Sequence, residues 1–141
     1  LTVEYTREDV CRSVIEGVIL NLNVVLEIIK GFLPVREITV IGGGARGPLW
    51  RRIMADVYGA DILMPDYLEE ATAMGAAIIG GVGAGVFEDF DVIDRFISIR
   101  ERTVPDAAAA AVYDNKKEVF EKCYRALEPV FPFIGITDEG V

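Results

Sequence analysis

Histidine does not occur anywhere in the 141 residues. Its absence removes Ser-His-Asp triads, imidazole acid-base catalysis and nearly every common zinc site. Cysteine is scarce as well. Cys11 and Cys123 both fall on apolar helical faces, where they read as two buried free thiols in a reducing cytosol. No stretch reaches the roughly 20 apolar residues of a membrane span, and none resembles a signal peptide. The richest apolar run, Ala71 to Val86, is mostly Ala and Gly. Basic runs are also missing and the net charge is −9, which argues against nucleic acid as a partner, because such a surface needs clustered Lys and Arg. A cytoplasmic protein with neither membrane nor nucleic-acid partner is the expectation. What is present is 52% apolar and 26% charged residues, enough for one domain with a core of its own. The chain starts at Leu1 and not at Met, so it is expected to be a piece of something longer.

Periodicity organises the chain. Thr6 and Asp9 have capping-box spacing before a long helix over about Glu8 to Lys30. Val10, Val14, Val18, Leu22, Val25 and Ile29 form its apolar stripe, widened by Cys11, Ile15, Ile19 and Leu26, and both stripes are expected to be buried. Gly17 inside the helix suggests close contact with another backbone, and Gly31 a C-cap. After Pro34 comes a short β-branched run, Glu37 to Ile41, expected as a buried strand of a parallel sheet. Pro48 to Tyr58 is a second helix with Leu49, Trp50, Ile53, Met54 and Val57 as its apolar set, closed by Gly59; Pro is harmless in a first turn. Asp61 to Met64 is a second strand, stopped by Pro65. A helix rich in small residues should run from Glu69 to about Ile79, with Gly80, Gly81, Gly83 and Gly85 breaking regular structure. Asp89 should cap a short helix through Phe96, and Ile97 to Val104 should be extended. A last helix from about Asp106 or Ala107 to Leu127 should bury Val112, Lys116 by its stem, Val119, Phe120, Cys123 and Leu127. Helix, strand, helix, strand, helix is an α/β order whose right-handed crossovers set the strands parallel. Two short strands do not cover helices this apolar, so partner strands are expected from upstream or from a second copy.

The chemistry concentrates where the first strand meets Gly42-Gly43-Gly44-Ala45-Arg46. Three glycines bring backbone amides close to a ligand without Cβ interference, and the following helix N-terminus adds a positive field. Ala45 keeps the rim low, and Arg46 is a cation able to face phosphate or stack on a base. No Lys-Ser/Thr follows, so this is not a Walker A loop, and the GxGxxG spacing is absent. Ligand contact and a merely tight core-facing turn are both open on spacing alone. A dinucleotide-binding oxidoreductase would need an acidic ribose partner at the end of the next strand, where Met64 and Pro65 stand, with Asp66 just beyond. Asp56, Asp61, Asp66, Glu69 and Glu70 are carboxylates of the kind phosphoryl transfer uses, but each also reads as a solvated helix or loop residue. None is assigned as catalytic base or metal ligand.

Residues 42–57, from Gly42-Gly43-Gly44-Ala45-Arg46-Gly47-Pro48-Leu49-Trp50 to Asp56-Val57, resemble the nucleotide-side signature of the FGGY carbohydrate kinases, most of all their xylulokinase branch. Glu16-Gly17-Val18, Pro34 to Ile38, Glu70-Ala71 through Gly75-Ala76-Ala77, Gly83 to Phe87 and Tyr113 through Leu127 follow in the order of that family's C-terminal region. The resemblance implies an incomplete ribonuclease H-like, actin-like ATPase domain with short parallel strands and packed helices, residues 1–134 being a C-terminal portion; after Pro129 and Pro132, residues 135–141 read as a loose tail. It implies ATP with Mg²⁺, and transfer of the γ-phosphoryl to a sugar hydroxyl in the complete enzyme. Gly42, Gly43, Gly44, Ala45 and Arg46 would face the adenosine and its phosphates. Gly47 stands where the family usually carries a small polar residue. The catalytic aspartate, the γ-phosphate turn and most sugar contacts of the family match nothing here, so a missing N-terminal kinase portion is the implied partner and the isolated chain is expected to be inactive. The alternative is a degenerate kinase fragment serving as a structural module, dimerising through an exposed sheet edge or an apolar helix face.

Overall fold

The computed structural model describes Thr2 and residues 4–134. The expected tail at 135–141 lies outside the described residues. Helix α1 spans Arg7–Lys30 behind the capping box, in which the Asp9 amide donates to Thr6 Oγ1 and the Thr6 amide to Asp9 Oδ2. Strand β1 is Glu37–Thr39, a single helical turn α2 is Gly43–Arg46, α3 is Pro48–Tyr58 and β2 is Asp61–Pro65. Helix α4 is Ala71–Gly83, followed by a 3-10 turn over Phe90–Arg95, strand β3 at Ile99–Thr103 and helix α5 at Ala107–Leu127. A 3-10 turn, Glu128–Val130, leads into the short α6, Phe131–Ile134. Caps set several of these ends. The Asp106 carboxylate accepts from the Ala109 amide, Asp89 accepts from Asp91, and Gly59 closes α3 at φ 58°.

The sheet order is β1-β2-β3. β1 and β2 are parallel, with Ile38 opposite Ile62, and α3 makes the crossover between them. β3 runs antiparallel to β2, and the pairing slips between Met64 and Pro65, where proline has no amide to donate. β2 is therefore the buried strand and β1 an edge: Ile38 is half-buried and Ile41 exposed, which corrects the expectation of a buried strand at 37–41.

The core sits on α3, which contacts β2 and β3 on one side and α1 and α5 on the other. Ile19, Leu20, Ile53, Ala55, Val57, Ile62 and Tyr113 form it. Lys30 ties two helix ends together by donating to the Tyr58 carbonyl at 2.6 Å, a favourable place for a cation.

Several expectations about faces fail. On α1 the stripe Val10, Val14, Val18, Leu22, Val25 and Ile29 is exposed, while Glu16, Ile19, Leu20 and Asn23 are buried. The contact with α3 and α5 selects a nearly opposite face, and of the second stripe Ile19 is buried and Ile15 and Leu26 are half-buried against the core. Nothing lies within 4 Å of where a Gly17 Cβ would be, so that glycine marks no backbone contact among the described residues, and Gly31 caps α1 in right-handed geometry. Cys11 and Cys123 are exposed. On α5 the buried position is Tyr113, with Phe120 half-buried, whereas Val112, Val119 and Leu127 face out; Leu49 of α3 is exposed as well. Helix α4 begins at Ala71 and runs through Gly80 and Gly81 to Gly83. Gly81 has a packing reason: a Cβ there would come within 2.4 Å of the Phe87 ring, which itself leans on Phe96.

Candidate functional site

The glycine turn leaves the sheet at the C-terminal end of β1, just after the Val40 amide donates to the Leu63 carbonyl at 2.9 Å. Gly42 takes φ 83° and ψ −176°, a region that side-chain-bearing residues rarely enter. Apart from the adjoining backbone, Gly42 and Gly43 have nothing within 4 Å of the site a Cβ would occupy among the described residues, and Gly43 is exposed. Ala45 is 1% exposed, so it anchors the turn in the core and does not form its rim. The Trp50 ring lies behind Gly44, 3.7 Å from a built Cβ, and closer to Gly47, where a Cβ would come to 3.1 Å. Any side chain at 47 would thus press on the indole. Helix α2 is a single turn that takes in Gly43 and Gly44 and precedes the N-terminus of α3, so the field of α3 starts at Gly47 and not at Gly43.

Gly42 and Gly43 differ in what they tolerate. Gly42→Ala is expected to cost about 2 kcal/mol from its positive φ, whereas Gly43→Ala should stay within about 0.5 kcal/mol. Thermal unfolding of the two variants checks this, and equal stabilities would show that the Gly42 backbone is not strained by a side chain.

Beside the turn is an open cleft of about 480 Å³ lined by Arg46, Arg51, Asp66, Glu69, Arg100 and Glu101, among others. Arg46 pairs with Glu69 across its mouth, and both side chains are mostly exposed, so the pair is weak and easily exchanged for another partner. Arg51 is buried; it donates from Nη1 to the Ala45 carbonyl and from Nη2 to Glu101 at 2.7 Å. Sequence reasoning missed both Arg51 and Glu101. Arg51 shares a helical face with Ala55 and Tyr58, a spacing of four and three that could have marked it as inward-facing; strand alternation gives no such signal for Glu101.

The remaining carboxylates resolve individually. Asp56 is buried, not solvated: its Oδ1 accepts from the Asp106 amide at 2.8 Å and so fixes the start of α5. Asp61 and Glu37 both accept from Arg102 at 2.6 Å, which staples the three strands at one end. Among the described residues no group of three or more Cys, Asp or Glu side chains is gathered for a metal ion, and no helix is long and apolar enough to cross a membrane.

A second polar cluster lies away from the turn, between α1 and α5. The Glu16 carboxylate accepts from Arg12 Nε at 2.8 Å, from the Tyr113 hydroxyl at 2.8 Å and from Lys116 at 2.7 Å. Burial alone would raise the Glu16 carboxyl, but these donors together hold it below its ordinary value. Arg12 is correspondingly pushed up, chiefly by its bond to Glu16, and burial raises the Tyr113 hydroxyl.

Known proteins share this framework. The gluconokinase of Bacillus licheniformis is 34% identical over 132 residues, spanning 91% of this chain and 25% of that protein. The gluconokinase of Bacillus subtilis (strain 168) is 33% identical across the whole chain and 28% of its own length. The chain thus spans about a quarter of the length of these two relatives. Among solved structures, the xylulose kinase of Rhodospirillum rubrum superposes with a TM-score of 0.77 at 29% identity, over 93% of this chain and 27% of that one. The ligand-bound xylulose kinase of Lactobacillus acidophilus reaches 0.82 at 22% identity, over 96% and 28%. These are FGGY sugar kinases, and the shared fold is the actin-like ATPase fold, of which this small mixed sheet with its packed helices is a part. With residues 1–84 matching the model for the C-terminal domain of the FGGY family of carbohydrate kinases, the chain belongs to that family.

Proposed function

We propose that this chain forms the nucleotide side of an ATP-dependent carbohydrate kinase, with Gly42, Gly43, Gly44, Ala45 and Arg46 against the adenosine and its phosphates. The observation that carries the reading is the open backbone at Gly42 and Gly43: apart from the adjoining backbone, no atom of the described residues lies within 4 Å of either Cβ position. A tight core-facing turn would have protein there. ATP suits this turn as a bound nucleotide: bare backbone on the open side, the buried Ala45 and the half-buried Trp50 behind, and Arg46 held only by an exposed, exchangeable carboxylate. When bound, ATP with Mg²⁺ supplies the phosphoryl group. The residues of this chain bind and orient the nucleotide, and Arg46 leaves Glu69 for an anionic group. The residues that accept the proton of the sugar hydroxyl belong to the rest of a longer protein.

D-Xylulose is the proposed acceptor, on the likeness of residues 42–57 to the xylulokinase signature. D-Gluconate is a second reading, favoured by the gluconokinases at 33 and 34% identity. The exposed stripe of α1 and the free edge of β1 are proposed to receive the preceding part of the same protein. A second copy of this chain at those surfaces is the rival occupant, and it would make the chain a structural module. Calorimetric titration of the full-length protein with ATP and ADP, with and without Mg²⁺, should show saturable binding. ADP release should then depend on D-xylulose or on D-gluconate and not on glycerol. Absence of binding would remove the nucleotide reading; turnover with neither acceptor would remove the acceptor assignment. The separate 141 residues should not turn over, and activity from them alone would mean that the chemistry resides here after all.

A further inference from the structure

Arg51 occupies the first turns of α3 with a side chain only 5% exposed. Its two terminal nitrogens reach different parts of the chain. One donates to the carbonyl of Ala45 inside the glycine turn, and the other to Glu101, which lies opposite Met64 in the β2-β3 ladder. The third nitrogen, Nε, is buried without a hydrogen-bond partner among the described residues. A buried donor left unpaired costs free energy. An apolar side chain of similar volume would avoid that cost and the cost of desolvating a charge, so stability alone does not explain an arginine here. A planar guanidinium does something methionine or lysine cannot: it sets two acceptor positions at once.

We propose that Arg51 is the positioning residue of the 42–46 turn, coupling it to strand β3 through Glu101. Because Arg51 engages the Ala45 oxygen from the buried side, the negative end of that peptide dipole is kept off the exposed surface at Gly43. Glu101, about half exposed at the cleft, in turn orients the guanidinium. The placement of β3, some 50 residues away in sequence, thereby decides the shape that the turn presents. The effect on nucleotide binding rests on the function proposed above, whereas the effect on the turn itself does not.

Two measurements on the full-length protein separate these. Without nucleotide, amide hydrogen exchange of the peptide covering residues 42–50 should speed up about tenfold in Arg51→Met and about threefold in Glu101→Gln, with peptides from α1 and α5 unchanged. Unaltered exchange at 42–50 in both variants overturns the proposal. In the kinase assay Glu101→Gln should raise the KM for ATP about fivefold, more than it lowers kcat, while the acceptor KM stays constant. A uniform loss across kcat and both KM values would mark a merely structural role and overturn the positioning one. Arg51→Lys should behave like Arg51→Met, and full rescue by lysine would refute the two-acceptor argument. Should Arg51→Met not fold, Glu101→Gln, which keeps an acceptor oxygen beside the guanidinium, decides. A wild-type protein that binds no nucleotide removes the function proposed above and leaves the exchange measurement to judge this one.

Discussion

Ile62→Ala is expected to cost about 3 kcal/mol, near the middle of the range for emptying a buried isoleucine site. Ile62 is fully buried in the central strand, opposite Ile38 on one side and Thr103 on the other, and it joins the cluster around α3. Removing its outer carbons loses about 0.8 kcal/mol of transfer free energy for each methylene-sized group. The rest is the cavity, which cannot close easily because both neighbouring strands are held in register by the β2 backbone. Ile62→Val should cost about 1 kcal/mol. Denaturant unfolding measures both, as a lower midpoint with an unchanged slope. A midpoint for Ile62→Ala equivalent to less than about 1 kcal/mol would mean that the site collapses and the core is softer than its packing indicates. Because β1 pairs only with β2 among the described residues, loosening Ile62 should also loosen the approach to Gly42.

Glu16→Gln is expected to destabilise by about 2 kcal/mol at neutral pH, through the loss of a charged acceptor shared by three donors. The figure is held down because Arg12 and Lys116 are each about half exposed and can turn to water. Tyr113 cannot, being 3% exposed. The same cluster predicts a pH dependence. The carboxyl of Glu16 has a folded value lowered from 4.5, so its contribution is fully present above the unfolded value and is lost as pH falls through the folded one. Between pH 7 and pH 3 the stability gap between wild type and Glu16→Gln should therefore shrink. A gap that stays constant over that window would show that the three donors do not lower the Glu16 carboxyl in the folded state. Asp9, lowered by its bonds to Thr6, adds a loss of the same direction at the start of α1 in both proteins.

Local rules made much of the architecture legible. The capping box at Thr6 and Asp9, Pro48 at the head of α3, the left-handed Gly59 at its end and Asp106 before α5 each act over a few residues, and each stands where a few residues alone would put it. The position of the glycine turn between a strand and a helix is legible for the same reason. Burial is not, because it depends on what packs against an element. The stripe through Val14 on α1 is as periodic as the one through Ile15, Ile19 and Leu26, and only the contacts with α3 and α5 decide that the second goes inside while the first stays out. Cys11 and Cys123 were misjudged by the same step. Glycine was over-read as a breaker at Gly80 and Gly81, where continuing helical hydrogen bonds and the Phe87 ring outweigh a weak propensity.

The amino-acid order by itself determined most of the elements, their order, the family resemblance and the place of a glycine turn between a strand and a helix, since these depend on neighbours in the chain. Tertiary structure alone decided that Arg46 rests on Glu69, that Arg51 joins Ala45 to Glu101, and that Glu16 gathers Tyr113 and Lys116. Those partners lie between 6 and 100 residues apart. Only folding brings such charges within hydrogen-bond reach, where geometry and desolvation determine what each one does.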